Sequence, residues 1–280
     1  MILHEWPWLS QPQDAQPRRD RGLIWLHGSN RQLDSARTSI RNEIDGTVAV
    51  SSFGETAGAA LLPLPSRHGV ALRAALPGDG FGVEYMTPSS WPAFRGLQQL
   101  TILSWFVFLG APVTTGQTLR FRLDNQMTLD VFGRTANSIT WGSDWAGAWN
   151  GSSQQTLGNL TDGQMVCIGA SIRQNGARFF ANGVFSGTKA GSGFTITTTA
   201  SQVRIMRAQN HPDLGLAAFG RALSDEEMIE ATRNPWGACW EPVRVWVPTS
   251  AAPAGAPTLS DLRAVSITSS SVQATYDYTF

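Results

Sequence analysis

The residues whose types and spacing best suit a chemical role lie in a tryptophan-rich stretch that begins at Trp141. Trp141, Trp145 and Trp149 recur at intervals of four residues among glycines and serines. Asp144 and Asn150 lie beside them. Indole faces stack on sugar rings, and carboxylate and amide groups hydrogen-bond to hydroxyls, so the stretch is a candidate glycan-binding site. The simpler alternative is structural, because tryptophan also pins loops and fills protein–protein interfaces.

The acidic residues do not follow the pattern that polysaccharide hydrolysis requires. Glycoside hydrolases place two carboxylates across one cleft, and no predicted strand carries acids at alternate positions. One cluster, Asp225, Glu226, Glu227 and Glu230, falls at the start of a predicted helix. Carboxylates there complement the helix dipole and remain solvated. We therefore predict no catalytic residue and expect a protein that is not an enzyme.

Histidine and cysteine are too scattered to indicate a metal or redox site. His4, His27, His68 and His211 show neither His-x-His nor His-x-x-x-His spacing. The two cysteines lie far apart in the chain, and Cys167 falls within an apolar strand pattern. Two cysteines do not make a disulfide framework, so we expect reduced, packed thiols. No Gly-x-Ser-x-Gly elbow or Gly-rich phosphate loop followed by Lys is present. The sequence predicts no metal and no cofactor.

The charge balance narrows the classes of partner. The chain has 280 residues, with 21 basic and 21 acidic side chains. A neutral chain lacks the basic excess expected of a nucleic-acid-binding protein. No stretch approaches the roughly 18 apolar residues of a membrane span. The N-terminus lacks a basic start followed by an apolar core, so no secretory signal is expected. Synthesis in a reducing cytoplasm fits the cysteine usage.

The elements that must position these residues are short strands with period-two alternation. Residues 118–123, 127–131 and 166–172 each alternate apolar side chains with polar or small ones, which is typical of half-buried antiparallel strands. The nearly all-apolar run 100–109 fits a central strand covered on both faces. Further strands are predicted near 22–27, 46–53, 69–75, 81–86, 137–142, 194–199, 203–207 and 214–220.

Turn and helix signals complete the prediction of fold class. Asn175-Gly176 predicts a hairpin with a type I′ turn, which needs positive φ at both central residues. Ser224 and Glu227 form a capping box that begins one short helix, and Asn234-Pro235 ends it. Many strands at short spacing with one brief helix indicate an all-β antiparallel β-sandwich.

The two ends of the chain differ from its middle. Residues 1–21 contain three prolines and little periodicity, and are predicted to be an extended arm. Trp6 and Trp8 would act as anchors in a partner's groove; the alternative is that the arm folds back on its own domain. Residues 243–248 are predicted to be a last strand that closes the sandwich, and residues 249–257 a linker of small residues and proline.

Residues 258–280 are predicted to form a two-stranded, hairpin-like tail. Its last strand is two-faced, and the apolar side consists of Val272, Ala274, Tyr276, Tyr278 and Phe280. A two-stranded hairpin of this length is not stable by itself in water. The apolar side therefore needs a covering surface, either on this sandwich or on a neighbouring chain. We take these residues as assembly contacts.

The pattern over residues 22–248 resembles the concanavalin A-like, laminin-G-like jelly-roll domain in the form found in bacteriophage virion proteins. The matching features are residues 22–26, the strand 101–105, Asp162-Gly163, the hairpin that ends at Asn182-Gly183, the strand 214–219, the helix start 221–227, Asn234-Pro235-Trp236 and Val247-Pro248. Residues 258–280 resemble the first two strands of a fibronectin type III module.

The resemblance implies a non-enzymatic structural component of a virion, in its tail, baseplate or fibre apparatus, with the body facing a host-surface glycan. A capsid-surface decoration protein and a free lectin-like carbohydrate-binding module are the alternatives. Other virion proteins would be its partners, and a homo-oligomer is expected, a trimer by analogy.

Some laminin-G-like and pentraxin-like relatives bind calcium at the sandwich rim through oxygen ligands. The matching candidates here are Asp124, Asn125, Asp144, Asn150, Asp162 and Asp213. Asp and Asn are favoured in turns for conformational reasons alone, so a rim calcium ion is the less favoured interpretation.

Overall fold

The computed structural model describes residues 16–29, 39–53, 61–74, 84–88, 91–110, 118–123, 127–145, 154–190, 203–205, 211–241, 244–248 and 262–266. No helix within these ranges is long and apolar enough to span a bilayer. Within them the chain is almost entirely antiparallel β-structure arranged in two large sheets and one small one, so the predicted all-β sandwich with a short helix is confirmed.

The first sheet has eight strands. They are β1 (Leu23–Gly28), β4 (Leu61–Ser66), β5 (Gly69–Ala74), β7 (Leu100–Val107), β12 (Met165–Arg173), β13 (Gly176–Ala181), β14 (Val184–Ala190) and β16 (Asp213–Phe219). Their order is β14-β13-β12-β7-β16-β5-β4, and β1 also pairs with β16.

The second sheet also has eight strands. They are β2 (Ser39–Arg41), β3 (Val48–Phe53), β6 (Glu84–Met86), β8 (Thr118–Leu123), β9 (Met127–Arg134), β10 (Ile139–Trp145), β11 (Gln154–Leu157) and β15 (Val203–Ile205). Their order is β11-β10-β9-β8-β15-β6-β3-β2.

The central strands of the first sheet are buried on both faces, which explains their continuous apolar sequences. On β7, Ile102 and Phe106 pack into the core between the two sheets. The alternate residues Leu103 and Trp105 point the other way and pack beneath two helices, α1 (Asp225–Arg233) and α2 (Pro235–Cys239). Every residue of β7 is buried, as the all-apolar run 100–109 predicts.

Glycine permits the close approach of helix α1 to the first sheet. A Cβ atom on Gly169 of β12 would lie 2.6 Å from the Leu103 side chain and 2.9 Å from that of Met228 on α1. Such distances are far inside van der Waals contact, so a side chain at this position would push the helix outward.

The predicted capping box of α1 is present. The Ser224 hydroxyl accepts a hydrogen bond from the Glu227 backbone N–H, and the Glu227 carboxylate accepts one from the Ser224 N–H. Asn234 ends α1 as predicted, but it also caps α2, because its Oδ1 accepts a hydrogen bond from Gly237 N at 3.0 Å. Pro235 is the first residue of α2, where its missing N–H costs nothing. The sequence therefore predicted one helix where the described residues form two α-helices.

The hairpin predicted between β12 and β13 is confirmed, but its turn type is wrong. Arg173 pairs with Gly176, so the central residues are Gln174 and Asn175, and neither has a positive φ. The type I′ geometry belongs to the next turn, between β13 and β14, where Asn182 has φ 49° and Gly183 has φ 80°.

The predicted arm 1–21 does not remain extended to its end. Pro17 bridges to Trp240, Arg18 N donates to Cys239 O at 2.8 Å, and residues 19–21 form a turn of 3-10 helix. The last part of the arm therefore lies against the end of α2. Residues 1–15 lie outside the described residues, so the prediction for them stays a prediction.

The predicted closing strand of the sandwich pairs elsewhere. It corresponds to β17 (Arg244–Pro248), which pairs with β18 (Leu262–Ser266) in a separate two-stranded sheet. Strand β18 falls in the predicted tail, so the tail's first strand pairs across the linker with β17; the predicted strand that follows it lies outside the described residues. Alternation alone is compatible with either pairing, because both place the same side chains on one face.

Candidate functional site

The structure places Trp141 in the core and not at the surface. The Trp141 side chain has no exposed area, and its ring packs edge-on against Phe179 at 5.8 Å between centroids. A buried indole cannot stack on a sugar, so the glycan-contact prediction is wrong for this residue. Its neighbours in the sequence pattern remain untested.

The other predicted site residues lie wholly or partly outside the described residues. Asp144 and Trp145 end β10, and only their backbone pairing, with Thr128 and Met127, is described. The rest are Trp149 and Asn150 of the glycan pattern, the metal-ligand candidates Asp124 and Asn125, and the assembly contacts Trp6, Trp8, Val272, Tyr276, Tyr278 and Phe280. For these residues the sequence predictions remain predictions.

The described candidates for a rim metal have other roles. The Asp162 carboxylate accepts a hydrogen bond from Gly110 N at 2.9 Å, which closes a turn. Asp213 is buried against His27. Within the part of the chain that the structure describes, no group of three or more His, Cys, Asp or Glu side chains is arranged to hold a metal ion.

Asp213 belongs to a buried hydrogen-bonded chain. Trp25 Nε1 donates to His27 Nδ1 at 2.9 Å, so that nitrogen carries no proton. His27 Nε2 therefore holds the ring proton and donates to Asp213 Oδ2 at 3.1 Å. All three side chains are buried. These hydrogen bonds join β1 to the start of β16, and a substrate cannot reach the three buried side chains.

Both cysteines are free and buried, as their sequence context predicts. Burial raises the pKa of the Cys167 and Cys239 thiols, because the thiolate would lose its hydration. Thiols held protonated in this way are inert packing groups.

The outward side of the second sheet, which we call the open face, carries a row of mixed side chains. Strand register aligns seven residues directly opposite one another on seven neighbouring strands, and those whose side chains are described face away from the core between the sheets. They are, in order across the sheet, Asp144, Thr128, Arg122, Arg204, Met86, Val50 and Ser39.

The open face combines polar and apolar groups at the surface. Arg122, Arg204 and Thr128 are half-buried, whereas Val50 is 55% exposed and Val48 is 39% exposed. The residues between them in sequence, such as Phe121, Leu123 and Ala49, are buried in the core between the sheets. The alternation of each strand thus separates a side that faces the core from an outward side, on which Asp130 and the Thr128 hydroxyl are nevertheless buried.

A polar groove adjoins the β2 end of this face. It has a volume of about 530 Å³ and is lined by Gln16, Pro17 and Arg19 on one side and by residues 41–46 on the other. Arg41 belongs to both features, because it lines the groove and pairs with Val48 at the edge of the second sheet.

The groove exists because the turn after β2 covers the free edge of β1. Leu26 N donates to Asn42 Oδ1 at 2.9 Å, and Asn42 Nδ2 donates to Ile24 O at 2.8 Å. Glu43 N donates to Leu26 O at 2.8 Å, and Gly28 N donates to Glu43 Oε1 at 3.1 Å. Two side chains and one backbone amide thereby replace a neighbouring strand and close an edge that would otherwise pair with another chain.

The two carboxylates of the groove are held in place by indole donors. Trp91 Nε1 donates to Asp45 Oδ2 at 2.8 Å, and Asn42 Nδ2 donates to Asp45 Oδ1 at 2.8 Å. Trp240 Nε1 donates to Glu43 Oε2 at 3.0 Å. Carboxylate oxygens accept more than one hydrogen bond, so these groups can still bind hydroxyls in a fixed orientation.

Neither the open face nor the groove was predicted from the sequence. Alternation in 118–123 does indicate that Arg122 faces away from the core, and that signal was available. Nothing in the sequence places Arg204 opposite Arg122, or the turn 42–46 against β1, because both depend on contacts between distant segments.

No family model matches the chain, and no curated protein matches it. Among solved structures, the binding domain of botulinum neurotoxin DC in complex with rat synaptotagmin II aligns with TM-score 0.51 and 11% identity, over 77% of this chain and 52% of that one. A Trypanosoma rangeli sialidase aligns with TM-score 0.49 and 10% identity, over 77% and 32%. Domain 4 of the arabinanase AbnA from Geobacillus stearothermophilus aligns with TM-score 0.48 and 13% identity, over 78% and 98%.

The chain thus spans about a third of the sialidase and about half of the neurotoxin domain. At these identities the likeness concerns the fold alone. The chain shares the antiparallel β-sandwich fold with these structures.

Proposed function

We propose that this chain is a non-catalytic binding module for an extended, glycan-type ligand, and that the open face is its binding surface. The observation that carries the proposal is the row from Asp144 to Ser39. Six interstrand spacings of about 4.8 Å make this row roughly 29 Å long, which suits several sugar residues in a line.

The composition of the row fits a carbohydrate. Sugars present hydroxyls around the ring edge and C–H groups on the ring faces, so a binding surface needs both hydrogen-bonding and apolar side chains. Arg122 and Arg204 supply the first kind in the middle of the row, and Val50 supplies the second towards β2. Asp144 occupies one end by register, and with Trp145, Trp149 and Asn150 it remains a candidate glycan contact.

The other outer face of the sandwich is occupied. Helices α1 and α2 cover the first sheet and bury Trp105, Trp236 and Trp240 against it. A ligand that needs a sheet face therefore has the second sheet to bind. The neurotoxin domain with the same fold is itself a binding domain, in complex with synaptotagmin II, which supports a recognition role for this architecture.

A glycan array probed with the full chain tests the proposal. We expect retention of at least one class of oligosaccharide, and a loss of at least about tenfold in affinity for Val50→Asp, because a charge replaces the apolar contact. Val184→Asp is the matched control, since Val184 is 64% exposed but lies on β14 of the first sheet. An array with no retained glycan, or equal binding by both variants, contradicts the proposal.

The setting that we propose for this module is a virion, as a tail, baseplate or fibre component. The support is the likeness of residues 221–227 and of Asn234-Pro235-Trp236 to bacteriophage virion domains. Trp6, Trp8, Val272, Tyr276, Tyr278 and Phe280 would then contact other virion proteins or further copies of the chain.

A density map of the native particle tests this setting and separates it from capsid decoration, which places the chain on the head. Removal of residues 267–280 retains β18 and should abolish assembly while the sandwich still folds. A protein that remains a free monomer with full glycan binding would instead be a lectin-like module.

A further inference from the structure

The two turns that flank β13 contain the same dipeptide. Asn175-Gly176 lies where β12 turns into β13, and Asn182-Gly183 forms the turn between β13 and β14. In such a pair the glycine N can attack the side-chain carbonyl of the asparagine, because glycine has no Cβ atom to obstruct the approach. This reaction is one reason why asparagine is a thermolabile residue. The same reactive sequence thus occurs in two environments that a single strand separates.

The structure blocks this reaction at Asn182. The Asn182 Oδ1 atom accepts a hydrogen bond from Cys167 N at 2.9 Å, which holds the carboxamide towards β12. The attacking atom would be Gly183 N, which donates to the Thr232 hydroxyl at 3.0 Å and belongs to a buried residue. Both reacting groups are therefore engaged, and ring closure requires that the turn first come away from β12 and α1.

The Asn175 side chain lies in a different environment. It is exposed to solvent, as are Arg173 and Gln174 before it. No hydrogen bond joins its carboxamide to another of the described residues. The turn lies at the end of its sheet, where local opening costs little free energy. Water and hydroxide ion therefore reach this asparagine, and its carboxamide can rotate towards Gly176 N.

The fold requires glycine directly after Asn175. Gly176 has φ 148°, a backbone conformation that is essentially restricted to glycine. A Cβ atom at this position would lie 2.3 Å from Lys189 O on the neighbouring strand β14. Any other residue would push β13 and β14 apart. The packing of β14 thus keeps the least hindered nucleophile beside an exposed asparagine.

We propose that Asn175 is a site of spontaneous deamidation, and that the fold suppresses the same chemistry at Asn182. Gly176 N loses its proton to hydroxide ion and forms a bond with the Asn175 Cγ atom. The bond from Cγ to the carboxamide nitrogen breaks, and that nitrogen takes a proton from water and leaves as ammonia. Water then opens the resulting succinimide at one of its two carbonyls, which gives aspartate or isoaspartate.

Either product changes the turn in a way that can be measured. Aspartate and isoaspartate both add a carboxylate to a chain whose formal net charge is zero. Isoaspartate also lengthens the main chain between β12 and β13 by one methylene group. The extent of deamidation therefore records the age of the folded protein as a difference in charge, and this modification is independent of ligand binding at the open face.

Tryptic digestion separates the two dipeptides for measurement. Cleavage after Arg173, Arg178 and Lys189 places Asn175 in peptide 174–178 and Asn182 in peptide 179–189. The full chain is incubated in mildly alkaline buffer, with and without concentrated urea, and the mass and isoaspartate content of each peptide are followed over time. The third pair, Asn150-Gly151, falls in peptide 135–173 and does not enter the comparison.

In the folded chain, we expect peptide 174–178 to deamidate at least about tenfold faster than peptide 179–189, because Asn182 reacts only when its turn opens. In urea the two rates should agree within about threefold, since the protection depends on the fold. Similar rates for the two peptides in the folded chain overturn the proposal. So does a peptide 174–178 that reacts in urea but stays intact in the folded chain.

Two variants test the cause of the difference. Asn175→Gln should abolish the mass change in peptide 174–178 and leave peptide 179–189 as slow as in wild type, because glutamine would have to close a larger ring. Thr232→Val removes the acceptor of Gly183 N and should speed deamidation of Asn182 in the folded chain by at least about threefold. Circular dichroism at the incubation temperature establishes that each variant is folded; if Thr232→Val is not, the wild-type comparison decides. A folded Thr232→Val protein with an unchanged rate at Asn182 contradicts the protection by α1.

Discussion

The outer faces of the two sheets differ in how far they are covered by other parts of the molecule. The first sheet lies beneath α1 and α2, and its strands β7 and β16 are buried at every position. On the second sheet, β3 has a buried Ala49 between the exposed Val48 and Val50. Among the described residues, the first sheet therefore lies between the second sheet and two helices, whereas strand β3 of the second sheet exposes side chains on its outward side.

The tryptophans show the same contrast. On the covered side, Trp105 packs edge-on against Trp236 and Trp240, with ring centroids 5.2 and 6.0 Å apart. These indoles join the helices to the sheet. Near the open side, the indole of Trp91 orients the Asp45 carboxylate of the groove. Trp240 belongs to both descriptions, since it packs against Trp105 and its Nε1 also donates to Glu43 Oε2 at 3.0 Å.

The largest expected effect is the loss of Trp105. Trp105→Ala should lower the free energy of unfolding by about 3–5 kcal/mol, because a fully buried indole beneath two helices leaves a cavity. Urea denaturation measures this change. Trp105→Phe should cost less, since a ring remains. A loss below about 1 kcal/mol for Trp105→Ala would mean that the helices do not pack against the sheet as described.

The attachment of α1 to the β13–β14 turn gives the next effect. The Thr232 hydroxyl accepts a hydrogen bond from Gly183 N at 3.0 Å and donates one to Met228 O at 2.7 Å. Thr232→Val keeps the shape but leaves the buried N–H without its partner, at a cost of about 1–3 kcal/mol. Thr188→Val, on the exposed surface of β14, is the control for removal of a hydroxyl. Equal unfolding free energies for the two variants would contradict the contact.

Acid should weaken the helix cover through Glu227. The pKa of Glu227 is lowered from 4.5 to about 2, chiefly because its carboxylate accepts hydrogen bonds from Arg221. Because the folded-state pKa is lowered, this stabilisation is complete above pH 4.5 and is lost as pH falls towards 2. The carboxylate side chain is 35% exposed, so solvent screening keeps the effect below about 1 kcal/mol.

Thermal midpoints of wild type and Glu227→Gln between pH 2 and 6 check this expectation. The gap between the two proteins should narrow as pH falls, because protonation removes the same charge as the substitution. Glu230→Gln, on the exposed side of the same helix, controls for the change of net charge. A constant gap across this range would show that the Arg221–Glu227 pair does not stabilise α1.

The smallest effect belongs to the open face. Val50→Thr should change the free energy of unfolding by no more than about 0.5 kcal/mol, because Val50 is 55% exposed. A loss above about 1.5 kcal/mol, measured by urea denaturation, would show that this face is covered in the folded protein. The contrast between the two sheets would then no longer hold.

Most strands could be predicted because alternation records burial directly. The prediction missed β2, β4, β11 and β14, and the strand predicted at 194–199 lies outside the described residues. Pro63 and Pro65 lie within β4, and proline argues against a strand unless, as here, the strand is at the edge of its sheet. Strand β14 is mostly exposed, so it carries no apolar alternation.

The candidate site was predicted poorly for a related reason. The glycan-binding pattern required Trp141 to be exposed. Whether a strand residue is exposed depends on which face of its strand meets the other sheet. Trp141 lies two residues after Ile139 on β10, and both side chains are buried in the core between the sheets. No local signal separates an inward tryptophan from an outward one.

By itself, the sequence determined the antiparallel β-sandwich, the capped helix α1 and the buried thiols, because each follows from side-chain periodicity or hydrogen bonds between near neighbours. The tertiary structure alone decided which sheet the helices cover, that Arg122 faces Arg204, and that Asn42 and Glu43 close the edge of β1. These features depend on register and packing between segments tens of residues or more apart, and a linear pattern of residue types is compatible with many such arrangements.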